Sequence, residues 1–235
     1  MSLEKIFRYL LISLLFFLPW QTRFIYELDP VHGAFWEYGT KSLYATELLL
    51  GLIIFCGIIL ILKQTNPWRA PVRKSVYWAS VVLAFGLLIC IIGNSVRPDI
   101  SFNFVTRLLL CACLAVLIAS NILLTTHYRP LTALWLGGVV QGLLALQQFF
   151  TQAVVGNKWL GMAAQLPREP GVSVIEVGSE RWLRAYGSFG SPNSLGIYLA
   201  VIVVVGVILY LGSSSQKIKL GITIGQLIIM SGLVL

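Results

Sequence analysis

The stretch Ser194–Leu211, SLGIYLAVIVVVGVILYL, contains no charged residue. At about 1.5 Å per residue, a helix of that length approaches the roughly 30 Å hydrocarbon core of a bilayer. A chain in lipid must satisfy every backbone N–H and C=O internally, so this stretch is expected to be a transmembrane helix. Six further apolar blocks accompany it: Ile6–Trp20, Leu43–Leu62, Val76–Gly93, Phe104–Leu124, Leu131–Val155 and Leu220–Leu235. The expectation is an all-α, polytopic transmembrane bundle of about seven helices, one transmembrane domain over residues 1–235.

Composition points the same way. The chain is 57% hydrophobic and only 11% charged, against roughly 25% charged in a soluble domain. A soluble globule of this length lacks the interior to hide so much apolar surface. Disordered chains and nucleic-acid-binding domains are charge-rich and solvated, so both classes are excluded. The net charge of +8 is read as loop Lys and Arg facing membrane lipids. Cys56, Cys90, Cys111 and Cys113 all lie within apolar blocks, which suggests no disulfide framework.

The first block follows Lys5 and spans Arg8, but it ends in Leu18-Pro19-Trp20 without a small-x-small cleavage site. It reads as a retained anchor rather than a signal peptide. With the N-terminus cytoplasmic, the inner loops hold nine of the 17 basic residues and only Glu4 among the acids. The outer loops, about twice as long, hold the other basic residues, so cationic density favours N-terminus-in. The last block stops at Leu235 without a charged flank, and the chain is expected to be the N-terminal part of a longer membrane protein.

The longest polar segment between helices is residues 156–193, an outer loop. Gly171–Gly178 alternates like a short strand and is followed by Ser179–Arg184, which predicts a small β-hairpin. The run from Arg184 to Asn193, RAYGSFGSPN, leads directly into the Ser194 helix. Ser191 suits an N-cap and Pro192 the first helical position. Free N–H groups at such a helix start attract anions, Gly187 and Gly190 permit close approach, and Arg184 can add bidentate hydrogen bonds to a phosphate. The same residues also suit a plainer arrangement. Arg184 could pair with Glu176 or Glu180, or with ordinary phospholipid, and Ser191-Pro192 could simply start a helix.

The string Arg-x-x-Gly-x-Phe-x-x-Pro-Asn at Arg184, Gly187, Phe189, Pro192 and Asn193 resembles the motif of the O-antigen ligase and polymerase superfamily. Many members carry His where this chain has Ser191. The resemblance implies an integral membrane glycosyltransferase of a bacterial inner membrane, metal-independent and without a cofactor. It would transfer a glycan from an undecaprenyl-diphosphate carrier to an extracytoplasmic glycan, lipid or protein acceptor. The diphosphate would be the leaving group, and Arg184 is the expected catalytic cation stabilising its growing charge, with Arg181 second. Gly187, Ser191 and Asn193 complete the expected diphosphate site. The family's further Arg and acceptor-activating His belong to a later outer loop, beyond Leu235, so this chain alone is expected not to catalyse.

Other residues carry weaker signals. Arg107 lies about one turn inside the fourth block, where a charge is a functional candidate or a snorkelling side chain, and Glu47 is its candidate partner. Asn121, Gln141, Gln147 and Gln148 read as interhelical hydrogen-bonding groups, and Gly138 to Gly142 as helix packing. His32 and His127 lack other ligands at metal-binding spacing. The Trp and Tyr residues near block ends form interfacial belts, with residues 159–166 as an amphipathic stretch lying flat on the membrane. A transporter or flippase lined by Arg107 and the Pro-Asn helix start, and a non-catalytic scaffold, are the competing classes. Broken mid-membrane helices and internal repeats, the usual marks of a transporter, are not evident.

Overall fold

The structure is a computed structural model that describes residues 2–28, 40–63, 78–79, 81–82, 84–89, 98–119 and 129–234. Its elements run α1 (Leu3–Phe17), β1 (Arg23–Leu28), β2 (Thr40–Tyr44), α2 (Ala45–Leu62), α3 (Pro98–Ala119), α4 (Arg129–Thr151), β3 (Val174–Val177), β4 (Glu180–Leu183), α5 (Pro192–Gly212) and α6 (Gln216–Val234). Further helical residues occur at 78–79, 81–82 and 84–89. The expectations placed on His32, Cys90, Asn121 and His127 lie outside the described residues.

The fold is mostly helical, and four helices are long and apolar enough to cross a membrane: α2, α4, α5 and α6. They mark the chain as a membrane protein. The first block forms a helix of 15 residues, short of the roughly 20 a span requires. The fourth begins at Pro98 rather than Phe104, and its apolar part, Ser101–Leu117, is also shorter. Of the third block, residues 76–77, 80, 83 and 90–93 lie outside the described residues.

The chain divides into two compact units, Met1–Leu11 with Phe24–His127, and Ile12–Arg23 with Tyr128–Leu235. In the first, α2 packs on α3, and Phe7, Ile53 and Leu117 are buried. A two-stranded sheet of β1 and β2 leads into α2, with Lys41 Nζ 3.0 Å from Glu27 Oε1. The hydrophobic blocks give no hint of this sheet, because its strands are short and interrupted by charge.

In the second unit α4, α5 and α6 pack pairwise around Trp135, Ala145, Leu199, Ile202 and Ile229. The outward side of α5 is as apolar as the inward one. Ile197, Val204 and Leu211 are exposed, as suits a helix facing lipid on one side and protein on the other. Gly138 and Gly142 have the packing role expected of them. A Cβ at Gly138 would collide with the Ile202 side chain of α5, and one at Gly142 would lie 3.0 Å from the Ile228 carbonyl of α6.

Between α4 and α5 the chain builds a small folded layer. The β3–β4 hairpin is antiparallel, with Val174 opposite Leu183 and Glu176 opposite Arg181, as the alternation around Gly178 suggests. Beneath it Val154, Leu183 and Tyr186 form a small core with Met162 and Val172. Residues 159–166 are not one flat amphipathic stretch. Bridges Val154–Gln165 and Asn157–Met162 enclose a tight turn, and Asn157 Oδ1 accepts from the Trp159 and Leu160 amides at 2.9 and 3.2 Å. The local hydrogen bonds of Asn157 favour the turn over a continuous helix.

Replacing Gly142 with Leu is expected to lower the thermal midpoint in detergent by several degrees, since overpacking costs about 1–3 kcal/mol. Gly196→Leu, where nothing lies within 4 Å of the new Cβ, is expected to leave it nearly unchanged. Equal effects at the two positions would contradict this packing.

Candidate functional site

Residues 184–191 are irregular backbone directly preceding a membrane-length helix, and buried polar backbone must find partners. Two glutamines on α4 supply them. Positions 141 and 148 are seven residues apart, two turns on one helix face, and both side chains are fully or almost fully buried. Gln148 Oε1 accepts from the Tyr186 and Gly187 amides at 2.9 and 2.8 Å. Its Nε2 donates to the Gly187 carbonyl at 2.8 Å. Gln141 Oε1 accepts from the Ser188 amide at 2.8 Å, and the Ser188 hydroxyl donates to the Pro19 carbonyl at 2.8 Å. The Tyr186 hydroxyl accepts from the Ser173 amide at 2.7 Å, which ties the same segment to the loop before β3.

This geometry revises the reading of Gln141 and Gln148. They grip the extramembrane loop rather than a neighbouring helix, and Gln147 is exposed. It also revises Gly187. Its φ of +57° favours glycine, but the residue is buried and Gln148 takes both its N–H and its C=O. A Cβ there would lie 2.6 Å from Gln141 Oε1. Gly187 is required for packing against α4 and does not offer its amide to an anion.

The helix start follows the expected design. Ser191 is the N-cap of α5, with Pro192 at the beginning of the helix. The Ser191 hydroxyl accepts from the Ser194 amide at 3.2 Å and lies 2.9 Å from the Ser194 hydroxyl, so it is engaged in capping. Leu195 N–H donates to the Ser191 carbonyl at 3.3 Å. Gly190 and Asn193 are exposed, and their amides have no hydrogen-bond partner among the described residues.

The carboxylates that could neutralise Arg184 are used elsewhere. Glu176 faces Arg181 across the hairpin, with Arg181 Nε 3.6 Å from Glu176 Oε1. Glu180 Oε2 accepts from the Trp182 indole at 3.1 Å. Arg184 is half-buried, its amide donates to the Ser173 carbonyl at 3.2 Å, and its guanidinium has no partner among the described residues. Arg184, Gly190 and Asn193 thus leave one cation and two backbone donors open on a single anchored segment. Arg181 already has a carboxylate neighbour.

Arg107 and Glu47 belong to the other unit and do pair, Nε to Oε1 at 2.6 Å. Arg107 Nη2 also donates to the Ser42 carbonyl at 2.9 Å, and its guanidinium carbon lies 5.0 Å from the Tyr44 ring centroid. Glu47 Oε2 accepts from the Tyr44 amide at 2.9 Å, closing the N-terminus of α2. The pair thereby joins β2, α2 and α3. Among the described residues no group of three or more His, Cys, Asp or Glu comes together. Comparison with family models, curated proteins and solved structures finds no match for this chain.

Two outcomes are expected. Gln148→Ala strands three buried backbone groups at about 1–3 kcal/mol each before relaxation, so deuterium exchange at residues 184–190 should accelerate while that of α2 does not; unchanged exchange would refute the clamp. For the ion pair, Glu47→Gln and Arg107→Gln together should lower the thermal midpoint by less than the sum of the two single effects. Strict additivity would mean that the two side chains do not act together.

Proposed function

We propose that this chain belongs to a bacterial inner-membrane glycosyltransferase of the O-antigen ligase or polymerase type. It has about seven spans, counting the blocks that α1, α3 and residues 76–93 represent, and a cytoplasmic N-terminus. Its substrate is a glycan on undecaprenyl diphosphate, and its acceptor an extracytoplasmic glycan, lipid or protein. The observation that carries this reading is the guanidinium of Arg184. It is half-buried and unpartnered among the described residues, and sits at the start of a loop that ends in a capped helix N-terminus.

The chemistry follows from charge. When the glycosidic carbon passes to the acceptor, its bond to the diphosphate breaks and negative charge grows on the leaving oxygen. A cation already held in place lowers the free energy of that state without reorganising as the reaction occurs. A guanidinium suits a diphosphate because it donates in a planar fork. The Gly190 and Asn193 amides, at the positive end of the α5 dipole, add donors that need no further charge. No metal ion or cofactor has a part in this scheme. The Gln141–Gln148 grip keeps the cation and the donors in register, since a small displacement would forfeit much of the benefit.

Arg184→Ala in the protein in its native cells should abolish glycan transfer to the acceptor, a loss of at least about a hundredfold, while its amount in the membrane fraction is unchanged. Arg184→Lys should recover only part of the activity, because a point charge replaces the fork. Undiminished transfer by Arg184→Ala would defeat the assignment and favour a scaffold.

A further inference from the structure

A second feature of the outer layer is not used by this scheme. A recess of about 720 Å³ opens beside the hairpin, lined by Gln152, Leu166, Arg168, Glu180, Arg181 and Trp182 among others. Its size is that of a small-molecule site. Trp182 is fixed in place: its ring leans on Phe149, centroids 5.9 Å apart, and its indole N–H is held by Glu180. It nonetheless remains 38% exposed. Gln152 is also held, with its Oε1 accepting from the Leu183 amide at 2.6 Å and its Nε2 donating to the Phe149 carbonyl at 2.6 Å. Arg168, also lining the recess, is exposed and has no partner among the described residues. Arg181 has only the exposed Glu176 at 3.6 Å.

A preorganised aromatic ring beside two arginines is a specific combination. The ring offers a flat apolar surface for the C–H face of a pyranose, and the arginines offer forked donors for an anionic substituent. A neutral lipid tail would leave Arg168 without a partner. A free phosphate would leave the ring unused. We propose that this recess is a subsite for an anionic sugar, one carrying a carboxylate or phosphate, with Trp182 as its platform and Arg168 and Arg181 as its charge partners. The inference rests on the assignment of Arg184 to the carrier diphosphate and identifies which glycan that carrier bears. Arg181 lies on β4, and Arg184 directly follows that strand's last residue, Leu183, so the two are roughly 10 Å apart along the chain at about 3.3 Å per residue. A glycan whose diphosphate sits at Arg184 has the recess within reach of its first few sugars.

Calorimetry on the full chain in detergent micelles tests this. The probes are a tetrasaccharide of alternating glucuronate and N-acetylglucosamine and, as its uncharged counterpart, chitotetraose. The anionic tetrasaccharide is expected to bind at least about tenfold more tightly, and Arg168→Gln to weaken it by about tenfold, the range of a charge-assisted hydrogen bond. Arg168 is exposed on a turn, so its replacement leaves the fold intact. Trp182→Ala should weaken both probes. Equal binding of the two probes, or an Arg168→Gln variant that binds like the parent, would overturn the proposal. Titration of the same samples with undecaprenyl diphosphate reads the Arg184 assignment separately: Arg184→Ala should lose that ligand and Arg168→Gln should keep it. Failure of this arm alone removes the diphosphate role, and failure of the sugar arms alone removes the anionic-sugar subsite.

Discussion

The grip of Gln148 and Gln141 on residues 186–188 is the constraint on which the outer part of the second unit depends. Eight residues of irregular chain stand between the β-hairpin and a helix without a charged residue. Their backbone is buried at Tyr186, Gly187 and Ser188, where an unpaired N–H or C=O costs as much as a lost hydrogen bond. A primary amide is suited to the task, since it can donate and accept within one plane. Gln148 does both toward Gly187. Removing the Cβ at 187 is what lets the loop come close enough, so the glycine and the two glutamines form a single device.

That device explains why an arginine can be left open beside a membrane. An unpaired guanidinium on a flexible loop would find a carboxylate or a lipid headgroup. Here the hairpin register commits Glu176 to Arg181 and the indole of Trp182 commits Glu180, while the clamp fixes where Arg184 begins. The Arg107–Glu47 pair shows the opposite solution in the first unit. There a charge inside a helix is matched by a carboxylate, a carbonyl and an aromatic ring, and it joins elements instead of waiting for a ligand. The two arginines thus differ in what surrounds each.

The sequence made most of the helices legible, because an unbroken apolar run of sufficient length has few other outcomes in lipid. Leu43–Leu62, Leu131–Val155 and Ser194–Leu211 each lie within a few residues of α2, α4 and α5. The hairpin was readable from alternation around Gly178, and the α5 start from Ser191 and Pro192. The early start of α3 was not, since Pro98–Asn103 is too polar to register as a span. The β1–β2 sheet was hidden for the same reason. Gln141 and Gln148 were visible as polar residues in an apolar helix, and their spacing places them on one face. Which backbone they hold depends on a contact 38 to 47 residues away, and no local pattern encodes it. Gly187 carried a misleading signal, because a glycine that admits a ligand and one that admits a neighbouring side chain look alike in sequence.

The most direct measurement is amide-resolved hydrogen exchange over residues 184–195 of the chain in nanodiscs, with and without undecaprenyl diphosphate. A diphosphate held by Arg184 at the α5 N-terminus should protect the Gly190 and Asn193 amides and leave Gly187, already bonded to Gln148, unchanged. Protection absent from Gly190 and Asn193 at saturating lipid, or appearing equally in Arg184→Ala, would contradict the proposed site.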